Sequence, residues 1–269
     1  MRVFIVFVFS IIAANGYSQM SLEKLKSEVV KEGFLLFESE KASWHGTDLF
    51  MEKFSDKSRI GGYVSYTKEN TPICIFYSKD DNPKVIGTIR FDKEFKLKNA
   101  IVDLKERNMN AVEKIYVDLN NKARERIMND TIFKMYQNTN YNLVPIVNGK
   151  ERKVYVLTAS SKPGTVIIGN DYLISFDNKN AIKKTERLHR SMLTFNYGDG
   201  TIAPMHNHLD GFCEVITATD ICTTMLYQHL TGWENHYVVS KKYVSIWDCI
   251  KNDLVVMKYE DWLKTIENK

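Results

Sequence analysis

Residues 205–220 read MHNHLDGFCEVITATD and join a candidate strand, residues 200–205, to a candidate helix that begins near Thr217. Alternate residues of an extended segment face the same side, so His206 and His208 are expected to present their imidazoles to one point. Thr217 and Asp220 have the spacing of a helix N-cap and its N3 acid. Eleven residues separate His208 from Asp220, which is enough loop to bring the carboxylate back to the two imidazoles.

Two imidazoles and a carboxylate form the ligand set of an open zinc site, in which a water completes the tetrahedron. A zinc ion in such a site lowers the pKa of its water toward about 7 and prepares it for hydrolysis. Each half of the pattern also has a simpler explanation. Thr217 and Asp220 fit an ordinary capped helix, and two histidines at this spacing can occur by chance in a strand. The combination of the two halves predicts zinc ligands at His206, His208 and Asp220.

This segment resembles the zinc signature of the JAMM (MPN) metalloproteases and their RadC-like relatives, which is His-x-His, a short loop and Ser-x-x-Asp. The sequence from His236 to Ser240, followed by Tyr243 to Ser245, is similar to the strand pair after the zinc helix in the RadC-like branch. The resemblance covers roughly residues 145–258. It implies a JAMM-type fold, akin to that of cytidine deaminases, with His206, His208 and Asp220 as zinc ligands.

The resemblance also implies two catalytic roles. Thr217 stands where the family has a serine that helps to hold the oxyanion, and Glu151 is the candidate for the general base. Glu151 is the only acidic residue between Ile146 and Gly169, and it precedes a predicted strand. Its alternative interpretation is a solvated turn residue beside Gly149.

The segment departs from the family pattern at three points. Leu209 replaces a proline after the second histidine, the loop to Asp220 is one residue longer, and Thr217 replaces the serine. Cys213 lies inside the loop and is either a third ligand or a small packing residue. Three further histidines have no ligand spacing and are expected to be surface or hydrogen-bonded core residues: His45, His189 and His229.

The rest of the chain predicts an α+β fold with mostly antiparallel sheets and a few helices. Before residue 140 we expect a helix over 20–32 capped by Ser21, strands over 34–37, 61–67, 73–78, 85–91 and 97–104, and a helix over 110–136. Ala42 to Phe54 is ambiguous. After residue 140 we expect strands over 143–147, 154–159, 166–168, 172–176 and 193–195 and a helix over 217–230. Strands over 236–240 and 243–247 and a final strand and helix are expected to follow. A domain boundary is expected near 138–142, which gives an N-terminal region of unknown role, 19–140, and a JAMM-like domain, 141–269.

The N-terminus has the pattern of a cleavable secretory signal over residues 1–18. Arg2 precedes an apolar run, Val3 to Ala14, and Gly16 and Ser18 are small residues before the expected cut. The run is shorter than the roughly 20 residues that span a bilayer, although a retained anchor is the alternative. The predicted product is therefore a soluble protein of the periplasm or the extracellular space. The four cysteines could then be disulfide-bonded or buried as free thiols.

Charge and missing motifs make several classes of function less favoured. The formal net charge is only +4 and the charges are interspersed, which argues against nucleic-acid binding. The sequence contains no nucleophile elbow, P-loop, dinucleotide fingerprint or His-Glu-x-x-His motif. Together with the signal pattern, the JAMM resemblance implies an exported zinc hydrolase that cleaves a peptide or isopeptide bond in a peptide or protein substrate. The alternatives are a JAMM-like binding module without catalytic activity and a small-molecule-binding envelope protein with a fortuitous histidine pair.

Overall fold

The computed structural model describes residues 21–198, 200–209 and 213–267, so the predicted signal peptide lies outside the described residues. Four α-helices occur in these ranges: α1 (Leu22–Lys53), α2 (Ala111–Asn129), α3 (Ala218–Thr231) and α4 (Tyr259–Glu267). Two short 3₁₀ turns, Lys57–Arg59 and Leu97–Asn99, accompany them. Within the described ranges, no helix has both the length and the hydropathy needed to cross a lipid bilayer.

The described residues also contain fifteen strands. They are β1 (Ile60–Lys68), β2 (Thr71–Ser78), β3 (Lys84–Arg90), β4 (Ile101–Asp103), β5 (Arg107–Asn108), β6 (Thr139–Asn148), β7 (Glu151–Ser160), β8 (Thr165–Gly169), β9 (Tyr172–Phe176), β10 (Ile182–Arg187), β11 (Met192–Asn196), β12 (Met205–Asn207), β13 (Asn235–Val239), β14 (Tyr243–Asp248) and β15 (Asp253–Lys258).

The strands form four sheets in which nearly every pairing is antiparallel. The first sheet has the order β1-β2-β3-β4, with β5 also paired to β3, and the second has the order β10-β9-β7-β6. Strands β11 and β8 form a two-stranded sheet. The last sheet has the order β12-β13-β14-β15, and its β12–β13 pairing is parallel. The predicted α+β class with mostly antiparallel sheets is confirmed.

Helix α1 is the largest difference from the sequence prediction. Ser21 caps it as expected, its side chain accepting a hydrogen bond from the Lys24 backbone N–H. The strand predicted over 34–37 is wrong, however, because the helix continues without a break to Lys53. The run Phe-Leu-Leu-Phe looks like a strand when taken alone. The helical pattern becomes visible only over the whole of α1, where buried residues recur every three or four positions from Gly33 through Leu36 to Phe50.

Three other predicted boundaries were wrong by several residues. The strand predicted over 97–104 is a 3₁₀ turn followed by the short strand β4. Helix α2 ends at Asn129 rather than near 136, and Asp130 follows it in extended conformation. The strand expected over 200–205 is instead β12, Met205–Asn207, so that His206 lies within the strand and not after it.

The core is arranged around α1, which packs on elements from both parts of the chain. Its Phe50 packs in an apolar cluster with Phe76 and Ile89 of the first sheet. Its Leu36 packs with Val144 of β6 and Ala218 of α3. The predicted boundary near 138–142 falls at the start of β6, and α1 contacts strands on both sides of it.

All four cysteines are free. Cys74, Cys222 and Cys249 are buried in three different apolar clusters, and Cys213 is exposed. The alternative of buried free thiols therefore describes Cys74, Cys222 and Cys249 but not the exposed Cys213. Burial raises the pKa of the Cys74 thiol to about 12.

Candidate metal centre

Four side chains bring potential ligand atoms together within 4.8 Å of one another: His189, His206, His208 and Asp220. His206 lies in β12, His208 follows directly after that strand, and Asp220 lies in the first turn of α3. His189 comes from the connection between β10 and β11. The structure thus brings together the three predicted metal ligands and adds a fourth residue. This buried group can hold a metal ion.

The distances between the donor atoms fit a small tetrahedral ion. The Nε2 atoms of His206 and His208 are 3.1 Å apart, and they lie 3.7 and 3.8 Å from the two carboxylate oxygens of Asp220. His189 Nε2 lies 3.2 Å from Asp220 Oδ1. Ligands at about 2.0–2.2 Å from a tetrahedral zinc lie roughly 3.3–3.6 Å from one another. The measured separations bracket that range.

Asp220 is held by the capping box that begins α3. Its Oδ2 atom accepts hydrogen bonds from the Thr217 backbone N–H at 2.9 Å and from the Thr217 hydroxyl at 2.7 Å. The Asp220 backbone N–H donates in turn to Thr217 Oγ1. The other carboxylate oxygen, Oδ1, is buried and has no hydrogen-bond partner. One face of the carboxylate is therefore fixed by the helix start, and the other is directed at the histidines.

His208 has the tautomer that a metal ligand needs. Its Nδ1 atom lies 3.0 Å from the backbone carbonyl of Cys213, which can only accept a hydrogen bond. Nδ1 therefore carries the proton, and the lone pair of the neutral ring is left on Nε2. The contribution of Cys213 to the site is this carbonyl, since in the described ranges no thiol belongs to the ligand group.

A tight packing arrangement positions His189. Gly169, at the end of β8, has φ +94°, and a Cβ there would lie 2.4 Å from the Ser191 carbonyl oxygen. The absence of a side chain lets the β10–β11 connection approach, and Leu188 donates a backbone hydrogen bond to Asp171. The Asp171 carboxylate lies 3.5 Å from His189 Nδ1 and accepts a hydrogen bond from the Thr158 backbone N–H. A carboxylate behind a histidine ligand is a common arrangement at metal centres.

The imidazoles and carboxylates of the ligand group shift one another's pKa values. Burial lowers the pKa of His189, but the carboxylates of Asp220 and Asp171 outweigh that effect and raise it to about 10. Burial would raise the pKa of Asp220, but the surrounding imidazoles, His189 first among them, hold it well below its usual range. Burial lowers the pKa of His206 to about 3 and also lowers that of His208. In the metal-free protein the single cation of the ligand group is thus the His189 imidazolium.

The ligand group opens toward solvent through a small cavity. The space measures about 20 Å³, and it is lined by His189, His206 and His208 together with Arg190 and three leucines, Leu188, Leu193 and Leu209. That volume accommodates about one water molecule or ion. Next to it lies a wider, open cleft that shares Arg190, Asn207, His208 and Leu209 and adds Lys241 and Tyr259.

The structure does not place either residue predicted for catalysis in its predicted role. Glu151 lies away from the ligand group, and Thr217 is hydrogen-bonded to a ligand. Glu151 lies at the start of β7 with its side chain 59% exposed, and its carboxylate pairs with Lys153 at 3.1 Å. It does not line the cavity beside the metal ligands. Thr217 is buried and adjacent to the ligand group. Its hydroxyl donates a hydrogen bond to the Asp220 carboxylate. Thr217 therefore orients a ligand in this structure.

Three residues near the site could not be identified from the sequence. His189 has no ligand spacing to His206, and the Asn170-Asp171 pair has the composition of a turn. His236, on β13, is buried and places its ring centroid 5.0 Å from that of His206. Only tertiary structure joins these residues, so no local pattern could have indicated them.

No family model, no curated protein and no solved structure matches this chain.

Proposed function

We propose that this chain is an exported zinc-dependent hydrolase that cleaves a peptide or isopeptide bond. The observation that carries the proposal is the convergence of His206, His208 and Asp220 at spacings suited to tetrahedral coordination. The ligand types also favour zinc, because two or three imidazoles with one carboxylate are a common zinc set, whereas magnesium and calcium prefer oxygen ligands. The His-x-His and Thr-x-x-Asp pattern of the JAMM resemblance is consistent with the same chemistry.

His206, His208 and Asp220 would hold the ion. Once bound, zinc would supply a Lewis acid that polarises a carbonyl and lowers the pKa of a water molecule. His189 adjoins these ligands at the wall of the cavity, where its imidazole can carry a proton to or from a reacting group. The open cleft beside His208 and Leu209 gives an extended substrate access to this wall.

The second candidate is a binding module with a structural metal. One observation favours it: His189 Nε2 lies 3.2 Å from an Asp220 oxygen, nearer than His206 or His208, so the ion could have four protein ligands. Structural zinc sites have four protein ligands, whereas catalytic sites leave one position open. The two candidates thus differ in the role of His189.

The deciding experiment compares His189→Ala with His208→Ala in protein purified without a histidine tag. We expect about one zinc per chain in the wild type by mass spectrometry of the metal content, and none in His208→Ala. If the site is catalytic, His189→Ala retains zinc and loses hydrolysis of a peptide library. If the site is structural, His189→Ala loses the zinc as well. Wild-type protein without zinc would contradict both candidates, and His229→Ala, an exposed histidine of α3, serves as the control.

A further inference from the structure

A second cavity lies between α1, the C-terminal part of α3 and the turn between β14 and β15. Its volume is about 630 Å³, and it shares no lining residue with the cavity at the metal centre. Ligand-binding cavities in proteins commonly measure about 300–1,000 Å³. This cavity is therefore large enough for an organic molecule and independent of the metal centre.

The walls of this cavity are mainly apolar. They are formed by Phe34, Phe37, Trp44, Met225, Leu226, Leu230 and Ile250. Three of these side chains are large and yet exposed: Trp44 at 42%, Leu230 at 40% and Ile250 at 65%. Scattered apolar side chains on a surface need no explanation, but a group of them around one concavity indicates a binding site.

Three basic side chains line the cavity, and burial lowers the pKa of His45, one of them. Lys41, His45 and His229 line it, and Asp48 is the only acidic residue among the lining residues. The Lys41 Nζ atom lies 5.0 Å from the ring centroid of Phe37 and 5.5 Å from that of Phe95. Two aromatic faces thus hold this ammonium group at the cavity wall. Burial lowers the pKa of Lys41, so an anion beside it would offset part of the lost hydration.

We propose that this cavity binds a small amphiphilic carboxylate, with its apolar tail among the aromatic and aliphatic side chains and its carboxylate at Lys41. A neutral apolar ligand would leave the Lys41 ammonium without a counter-ion, and a cationic amphiphile would be repelled by it. A carboxylate satisfies both the charge and the apolar walls. The inference is independent of the hydrolase proposal.

Sodium decanoate, below its micellar concentration, is a suitable probe for isothermal titration calorimetry. We expect saturable binding at one site, with decanol and decyltrimethylammonium binding at least tenfold more weakly. Lys41→Met keeps the aliphatic stem and should weaken decanoate binding at least tenfold. Lys53→Met removes an equal charge from the exposed end of the same helix and should leave it unchanged. Ile250→Ser alters an exposed side chain, which should not impair folding, and is also expected to weaken binding.

A carboxylate can also coordinate zinc, so the titration is repeated with His208→Ala. Binding that persists in this variant supports the separate cavity. The proposal is overturned if decanoate binding disappears with the metal ligand, if decanoate fails to saturate, if the cationic amphiphile binds equally well, or if the Lys41 and Lys53 variants behave alike.

Discussion

The Nε2 atoms of His206 and His208 face each other at 3.1 Å. The Cys213 carbonyl fixes the proton of His208 on Nδ1, so the lone pair of its Nε2 is directed at the neighbouring ring. Two adjacent imidazole nitrogens form a buried group of electron-pair donors with Asp220 Oδ1, which accepts no hydrogen bond but lies 3.2 Å from His189 Nε2. A divalent cation satisfies all three atoms at once.

Zinc should therefore raise the stability of the wild-type protein. A ligand that binds only the folded state at about 100 times its Kd adds about 2.7 kcal/mol. We expect zinc to raise the Tm of the metal-free protein measured by differential scanning calorimetry. His208→Ala should show no zinc-dependent increase, whereas His45→Ala should behave like the wild type. An equal increase in the His208 variant would place the zinc elsewhere.

Thr217→Val should affect both the helix and the ion. The variant loses the hydroxyl that caps α3 and donates to Asp220. Loss of an N-cap costs about 1 kcal/mol, and loss of a hydrogen bond to a metal ligand weakens metal affinity roughly tenfold or more. Urea unfolding and zinc titration measure the two effects.

Thr217→Ser is the matched control, since it retains the hydroxyl and should keep both properties. The same pair of variants tests the oxyanion role that the family resemblance implies. A fall in kcat of the valine variant at saturating zinc would favour that role over orientation of Asp220.

Zinc binding should release about one proton near neutral pH. The pKa of His189 is raised to about 10, so His189 is protonated in the metal-free protein. A zinc ion on the adjacent ligands would expel the proton from its Nε2, whether His189 then binds the ion or exchanges protons with a substrate. Calorimetry in buffers with different ionisation enthalpies measures this release. Asp171→Asn removes one of the two carboxylates that raise this pKa, so it should reduce the number of protons released. Proton release that is the same with and without His189 would contradict this assignment.

The same histidine sets a pH dependence of folding in the metal-free protein. Its pKa in the folded state lies above the unfolded value of about 6.5. Its contribution to stability is therefore complete below about pH 6.5 and is lost as the pH rises toward 10. Urea unfolding across this range should show the loss, and His189→Ala should remove it.

Glu151→Gln should leave zinc content and hydrolysis unchanged. The carboxylate of Glu151 is exposed and paired with Lys153, away from the cavity. An exposed ion pair contributes only about 0–1 kcal/mol, so stability should change little. A variant that folds and binds zinc but has lost activity would restore Glu151 as the general base.

Gly33→Ala should destabilise the protein, because α1 and α3 approach each other closely at this position. An added Cβ would lie 2.6 Å from Ile221 Cγ2. Overpacking of this kind typically costs about 1–3 kcal/mol, and Ile221 directly follows the ligand Asp220. We expect a lower midpoint of urea unfolding. Ser27→Ala, at an exposed position of the same helix, is the control.

The local patterns were the most predictive part of the sequence. The cap of α3 and the neighbouring His-x-His residues indicated three of the four clustered donors, because each pattern depends on residues that are close in the chain. His189 and Asp171 were not found, since the packing of Gly169 against Ser191 brings them to the site. The continuous helix α1 was missed for a related reason: its Phe34 to Phe37 segment packs on α3 and the last sheet, which the local composition does not reveal.

Helix α1 is the first element of the described chain to be synthesised, whereas part of the core that it packs on is synthesised last. Val29, Val30 and Phe34 pack on a cluster that includes Trp247 and Leu254, more than two hundred residues downstream. The apolar face of α1 therefore stays without its native cover until translation has passed the last sheet. Contacts of such long sequence separation slow folding, and they delay completion of the core during biosynthesis. If the chain is exported, as we propose, this slow folding gives it more time to thread through a secretion channel before it becomes too compact to pass.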